Sequence, residues 1–484
     1  MRRLSVLSAT ILLTTLLITG CAKESSDDGR SGDDQINGTA ERTAVVEAAS
    51  VTVRPSGDGE SWTFDYALNH PSTELRLYRP SDGSRAKGWR LSDDDFELIA
   101  RPYEDGEEDV IRRRDGAPFT SISVTEKIAH DPAVKGYWPF ASLGDDRGIF
   151  GYTGRILACA EECPVDATGA DGPFPVTIDP GDAPYFLVGS AIKDAPYTYF
   201  DRNDGLKFYA GDVPPVETDD FVAVIDPALP GDIKARLDGL FPKLMAYFAE
   251  NLGAADRKPS MFVSYNAPGD HEGSHIKGGT LPGQLFMHFE GARTVEIAKR
   301  PTFPHFLAWF FAHEAAHLFQ KYRGVDFPED ESWIHEGGAD FFAFLALRSL
   351  AAAPQDYLNL RLNRALDRCA EELARGPLRA ANERGNFQAY YDCGLLLHMA
   401  AAEEVAAADG RDAFALWTSY VETAKAEGEW STKVFAAFIE SLGAANAAGL
   451  ARNVLDTPQD APRASLLQGL AAAGVDVAWA DDAE

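Results

Sequence analysis

Positive charge is scarce in this chain: 45 lysines and arginines stand against 75 aspartates and glutamates, a formal charge of −30 over 484 residues. A broad nucleic-acid face needs clustered basic side chains to displace counterions from phosphates, so no nucleic-acid partner is expected. The acidic excess by itself implies only solubility. Cysteine is scarce too, with five. No apolar run after residue 20 is long enough to span a bilayer, and no internal repeat is evident, which sets repeat architectures aside. Core-forming residues are not lacking: 45% of the chain is hydrophobic, against disorder, and the length suggests roughly three domains at about 150 residues each.

The amino terminus carries what the rest lacks. Arg2 and Arg3 precede an apolar run from Leu4 to Ile18, and Ile18-Thr19-Gly20-Cys21 closes it with small residues before a cysteine. This is the pattern of a bacterial lipoprotein signal over residues 1–20. The rival, an uncleaved anchor, needs roughly 20 apolar residues, more than the run offers. Acylation of Cys21 on thiol and amine supplies the two or more membrane signals that stable anchoring takes. A lipid-anchored protein of the bacterial cell envelope is expected, its body outside the cytoplasm, facing the periplasm or the surface. Which membrane holds it, and its oligomeric state, are left open. Lys23–Thr43, rich in Asp, Ser, Gly and Glu, suits a solvated tether within 21–47. Asn37-Gly38-Thr39 matches a glycosylation sequon without meaning in that setting.

Cys159, Cys163, Cys369 and Cys393 then form an even set in an oxidising compartment. The expected pairs are Cys159–Cys163, which closes a tight loop, and Cys369–Cys393, whose members flank predicted helices of one domain. A CxxxC metal site is the rival for the first pair, but no histidine or second such pair lies nearby.

Period-two alternation runs from about Ala48 to Gly211: Trp62, Phe64, Tyr66 and Leu68, Leu75 with Leu77, Ile122 with Val124. The expected fold class is α+β, opening with a β-rich, sandwich-like domain over 48–213 that holds no catalytic constellation. Val213-Pro214-Pro215 marks a boundary. A helix is expected over 233–252 and strands over 260–265 and 283–289. Helices then dominate, over 303–323, 333–351, 357–374 and 387–406. A tail over 409–484, with helices at 412–426 and, capped by Ser431, at 433–442, has the composition of packing material.

His313-Glu314-Ala315-Ala316-His317 is an HExxH pattern on a well-signalled helix: Thr302 is placed to cap it, Pro304 sits in its first turn and Gly324 is expected to stop it. Positions i and i+4 share a helix face, so both imidazoles can reach one metal with Glu314 beside it. Five letters are weak evidence, since His271-Glu272-Gly273-Ser274-His275 matches as well. That copy lies among Pro268-Gly269-Asp270 and Gly278-Gly279, where a helix is disfavoured, so a polar loop is expected. The downstream sequence separates the two. Eighteen residues after His317 comes Glu336, on a helix that Ser332 is placed to cap, with Asp340 four positions on. His313, His317 and Glu336 make a His₂Glu ligand set for one Zn²⁺ with an open fourth position. Asp340 is placed to accept from the far nitrogen of a ligand histidine, chiefly His313. His335 is the alternative ligand, but it points about 100° from Glu336 on a helix. Trp333 is expected in the core.

This arrangement resembles the gluzincin metallopeptidases, particularly the aminopeptidase N and leukotriene A hydrolase group, with the glycyl aminopeptidases as relatives. Trp333-x-x-Glu336-Gly337 is similar to the group's Trp-x-x-Glu-Gly, and the Glu336–Asp340 spacing to thermolysin's. Tyr390-Tyr391-Asp392-Cys393-Gly394-Leu395 resembles its Tyr-x-Lys-Gly segment, with Cys393 in place of the lysine. The stretch from Tyr137 to Gly154 resembles the group's β-rich amino-terminal domain. The likeness spans residues 50–440 and is strong over 305–400. It implies a thermolysin-like catalytic domain over 216–408 and a tyrosine, Tyr391, that stabilises the tetrahedral intermediate. One departure concerns substrate: the group's Gly-x-Met-Glu-Asn edge strand, whose glutamate holds a free amine, corresponds here to Gly283-Gln-Leu-Phe-Met-His-Phe-Glu290-Gly291. Gly283 and Glu290 are the candidate substrate contacts.

The expected activity is hydrolysis of a peptide or protein substrate, with zinc activating water, Glu314 as general base and Tyr391 donating to the oxyanion. An extended peptide is expected to pair with the strand 283–289. Endopeptidase and aminopeptidase action are both open. The alternative is a non-catalytic surface binding or assembly lipoprotein that keeps the scaffold and a structural metal; it leaves Glu314 without a use.

Overall fold

The computed structural model describes residues 49–480 apart from 104–105, 131–138, 144–146, 161–162, 164–173, 202–204, 267–273, 292 and 322–327. The expected signal segment, Cys21 and the tether lie outside the described residues, as do Tyr137 and most of the second HExxH pattern. Among the described residues no helix is long and apolar enough to cross a membrane.

The amino-terminal part is β-rich and the carboxy-terminal part helical. Trp62, Phe64, Tyr66 and Leu68 all lie on the strand Ser61–Ser72 and are buried, as the alternation implied. Their strand belongs to a six-stranded sheet that faces a four-stranded one containing Glu74–Leu77 and Phe96–Tyr103. A two-sheet sandwich is too simple, however. A third sheet of five strands contributes Phe140, Phe186 and Phe208 to the same core, where Trp62 stacks on Phe140 at 5.4 Å. Both expected disulfides, Cys159–Cys163 and Cys369–Cys393, are formed.

A fourth sheet joins this part to the helices. Its order is Val216–Glu217, Val222–Ile225, Ser260–Asn266, Gln284–Glu290 and His275–Leu281. Gln284 anchors it: its amide oxygen accepts from Lys207 N at 2.7 Å and its amide nitrogen donates to Lys207 O at 2.8 Å. Phe150 and Phe262 meet edge to face at 5.3 Å across the same junction.

Gln284–Glu290 pairs with Ser260–Asn266 on one side and His275–Leu281 on the other. It is therefore an interior strand with no open edge, which corrects its assignment as the peptide-pairing strand. Gly283 falls in the preceding turn at φ 70°, and His275–Leu281 is the outer strand. Local sequence cannot distinguish the two, because both runs pair well and only the third strand decides which is covered.

The metal helix spans Phe303–His317 and ends well before Arg323. Leu318, Phe319 and Gln320 tighten onto Ala315 O and Ala316 O, and Lys321 has φ 55°. Gln320, just past the helix end, joins His317 Nδ1 to His335 O. Thr302 and Ser332 begin their helices without side-chain caps, since both already have helical backbone angles. Ser431 and Asp412, in extended conformations, do cap, accepting from Val434 N and from Phe414 N and Ala415 N.

The helices Trp333–Ser349 and Gln388–Ala408 approach backbone to backbone. A Cβ on Gly394 would stand 2.5 Å from Trp333 O and 2.7 Å from Gly337 Cα. Neither backbone can give by that much, so Gly394→Ala should cost about 1–3 kcal/mol through enforced separation of the helices. Urea unfolding measures this; an unchanged midpoint would deny the contact.

Candidate metal centre

Leu307 to His317 are all buried, so the metal helix is a core helix with apolar surroundings on every side. The histidines can lie there because each polar nitrogen has a partner. His313 Nδ1 meets Asp340 Oδ1 at 3.0 Å, and His317 Nδ1 meets Gln320 Oε1 at 2.7 Å. With both of these oxygens accepting, each Nδ1 carries a proton, which turns each Nε2 toward the metal position.

Those two nitrogens converge with a carboxylate. His313 Nε2 and His317 Nε2 are 3.1 Å apart, and Glu336 Oε2 lies 3.3 Å from the first and 3.2 Å from the second. A tetrahedral ion with bonds of about 2.0–2.1 Å separates its ligand atoms by roughly 3.3–3.4 Å, so the triangle has the size of one face of a zinc site. Among the described residues this is the group of three or more His, Cys, Asp or Glu side chains able to hold an ion. His335 is not in it: its Nε2 faces the other oxygen of Glu336 at 3.4 Å.

The electrostatics fit a cation. Burial alone would raise the Glu336 carboxyl, but the imidazoles of His317, His335 and His313 hold it well below the usual range. Burial likewise opposes charge on His313, yet Asp340 and Glu336 outweigh it and push that pKa up to about 10. A divalent ion competes for the same negative field that favours this proton. Asp340 is itself lowered despite burial, through His313, Arg361 and Trp309.

Glu314 stands on the same helix with a different environment. Burial raises its carboxyl, with His313 and His317 opposing. Its Oε2 is buried without a hydrogen-bond partner among the described residues. A carboxylate placed in this way has acceptor capacity that no described residue uses. On the outer strand, a Cβ at Gly278 would meet the Phe310 ring at 2.5 Å and Glu314 Oε1 at 3.1 Å, so the missing side chain is what allows the strand to lie against the metal helix. The Tyr391 ring stacks 5.3 Å from that of His313.

Glu290 ends the interior strand, is 3% exposed and has Lys277 Nζ 3.8 Å from its carboxylate. Sequence reasoning also missed partners. Gln320 and Trp309 had a signal, being three positions after His317 and four before His313 on the same helical stretch; Trp309 Nε1 donates to Asp340 Oδ1 at 2.7 Å. Arg361, 3.7 Å from Asp340 Oδ2, had none.

No family model matches the chain, and no curated protein matches its sequence. Among solved structures, native yeast LTA4 hydrolase shares 12% identity with it, covering 86% of this chain and 68% of that one at a TM-score of 0.47. An M1 zinc metallopeptidase from Deinococcus radiodurans, bound to a Tyr-Ser-Ala substrate, shares 15% over 86% and 95% at 0.46. Another structure of that Deinococcus radiodurans metallopeptidase shares 14% over 86% and 95% at 0.44. At such distances the functional reading has to rest on the site itself.

The converging ligand atoms lead to an expectation of one zinc per chain by metal analysis of purified protein. His317→Ala should lose it, and Gln320→Leu should weaken it by roughly 10-fold, the effect of removing an outer partner of a ligand histidine. Full zinc content in His317→Ala would remove the ion from this helix.

Proposed function

We propose that the chain is a zinc metallopeptidase of the gluzincin type, akin to the aminopeptidase N and leukotriene A hydrolase group, with a thermolysin-like catalytic domain. The observation that carries this reading is Glu314: a buried carboxylate with an unused oxygen, next to a His₂Glu donor set. A structural metal site closes its coordination and needs no such neighbour, whereas a hydrolytic one leaves a position open for water.

His313, His317 and Glu336 would hold the ion, with Asp340 and Gln320 fixing the two imidazoles. When bound, zinc supplies Lewis-acid polarisation of a carbonyl and lowers the pKa of water to about 7. Glu314 accepts the proton of the attacking water at its open oxygen and returns it to the leaving amine. Tyr391, stacked beside His313, donates its hydroxyl to the developing oxyanion.

An extended peptide pairs with the outer strand His275–Leu281, which Gly278 lets lie close beside Glu314. This strand reads His-Ile-Lys-Gly-Gly-Thr-Leu and has no carboxylate to hold a free amine. Cleavage is proposed to proceed without that amine. The enzyme is further proposed to work from the envelope membrane, held by a lipidated Cys21.

Glu314→Gln should abolish turnover, by at least about 100-fold as expected for loss of a general base, while zinc stays bound. Loss of metal together with activity would show that Glu314 is a ligand. Tyr391→Phe should lower kcat with KM little changed, since that hydrogen bond strengthens only in the transition state; an unaltered kcat returns Tyr391 to packing. Matched peptides with free and acetylated amino termini decide specificity. Comparable chelator-sensitive cleavage of both is expected, and release of single terminal residues from the free peptide alone would restore the aminopeptidase reading.

A further inference from the structure

Arg361 stands on the helix Gln355–Leu373, which carries none of the metal ligands. Its guanidinium lies 4.3 Å over the Trp309 ring, and its Nη2 is 3.7 Å from Asp340 Oδ2. The side chain is only 12% exposed, and its Nε has no hydrogen-bond partner among the described residues. Desolvating a guanidinium is costly unless neighbouring charge compensates, and the close carboxylate here is Asp340.

Asp340 needs a second restraint. His313 Nδ1 and Trp309 Nε1 both donate to Oδ1, at 3.0 and 2.7 Å. Two donors on one oxygen define where that oxygen sits but leave the carboxylate plane loosely set, because the terminal torsion of aspartate is broad. A cation at the other oxygen sets the plane. Arg361 is in turn held by its stacking on Trp309, so Arg361, Trp309 and Asp340 close a ring around one carboxylate. The orientation of Asp340 then determines the orientation of the His313 ring, and with it the direction of Nε2.

We propose that Arg361 is a positioning residue for the metal centre: it holds Asp340 Oδ2 so that Oδ1 stays aimed at His313 Nδ1 and His313 Nε2 stays aimed at the point it shares with His317 and Glu336. This rests on the zinc reading above and adds to it a residue on a separate helix, 48 positions from His313 in sequence.

The test is zinc affinity, measured on the full chain stripped of metal and titrated with zinc against a chromophoric chelator. Arg361→Met keeps an apolar stem over Trp309 and removes the charge. Its zinc dissociation constant should rise about 10-fold, the low end for loss of an outer partner. Arg361→Lys restores a charge at similar reach without the planar fork and should recover part of the loss. Removing one member of a buried ion pair also costs stability, so the metal-free melting temperature should fall in Arg361→Met and be largely kept in Arg361→Lys. Zinc binding by Arg361→Met within about 2-fold of the unaltered chain, well short of the loss expected for an outer partner, would overturn the proposal. So would a lysine variant that keeps the metal-free melting temperature yet binds zinc no better than methionine, which marks a packing role. If the unaltered chain takes up no zinc, the metal reading fails and this inference with it; tight zinc in the unaltered chain with an indifferent Arg361 leaves the metal reading standing alone.

Discussion

Two imidazole nitrogens and a carboxylate oxygen held within 3.3 Å of one another in a buried site set the terms for the helical half of the molecule. Polar groups removed from water must each be hydrogen-bonded, and a buried charge must be compensated. The outer partners meet that demand. Asp340 and Gln320 take the outer imidazole protons, Trp309 steadies Asp340, and Gln320 passes its amide on to His335 O. The inner nitrogens face each other and Glu336, an arrangement that a cation completes.

Keeping three ligand atoms so close requires the helices that carry them to be fixed to a few tenths of an ångström. Glycine at 337 and 394 lets two helices meet at their backbones, and the Cys369–Cys393 disulfide ties the helix of Tyr391 to the helix of Arg361. The carboxy-terminal helices act as a brace. Buried Glu331, just ahead of the Glu336 helix, accepts from Trp333 Nε1, Thr432 N and Thr432 Oγ1, and receives Arg379 as well. What sequence composition presented as packing material is thus wired directly to the helix that supplies the third ligand. Trp417 adds a bond to Gln320 O.

The β-rich part contributes through one sheet. Gln284 bonds both backbone groups of Lys207, and aromatic packing at Phe150 and Phe262 fills the junction, so the sheet edge beside the metal helix is set by strands more than 70 positions earlier. Gly278 then brings the outer strand within reach of Glu314. The placement of that edge, more than the metal site, bears on which substrates can lie in it.

Much of the candidate site was legible from local periodicity. The four-residue spacing of His313 and His317, and of Glu336 and Asp340, puts each pair on one face of any helix they form, whatever surrounds it. Alternation did the same for Trp62, Phe64, Tyr66 and Leu68. Those relations are set by bond geometry within a few residues, so the chain alone determined them. The stop of the metal helix at His317, the covering of Gln284–Glu290 on both sides, the engagement of Glu290 by Lys277 and the reach of Arg361 to Asp340 were decided by tertiary structure. Each depends on a partner from another segment, and no pattern within either segment reports the distance between them.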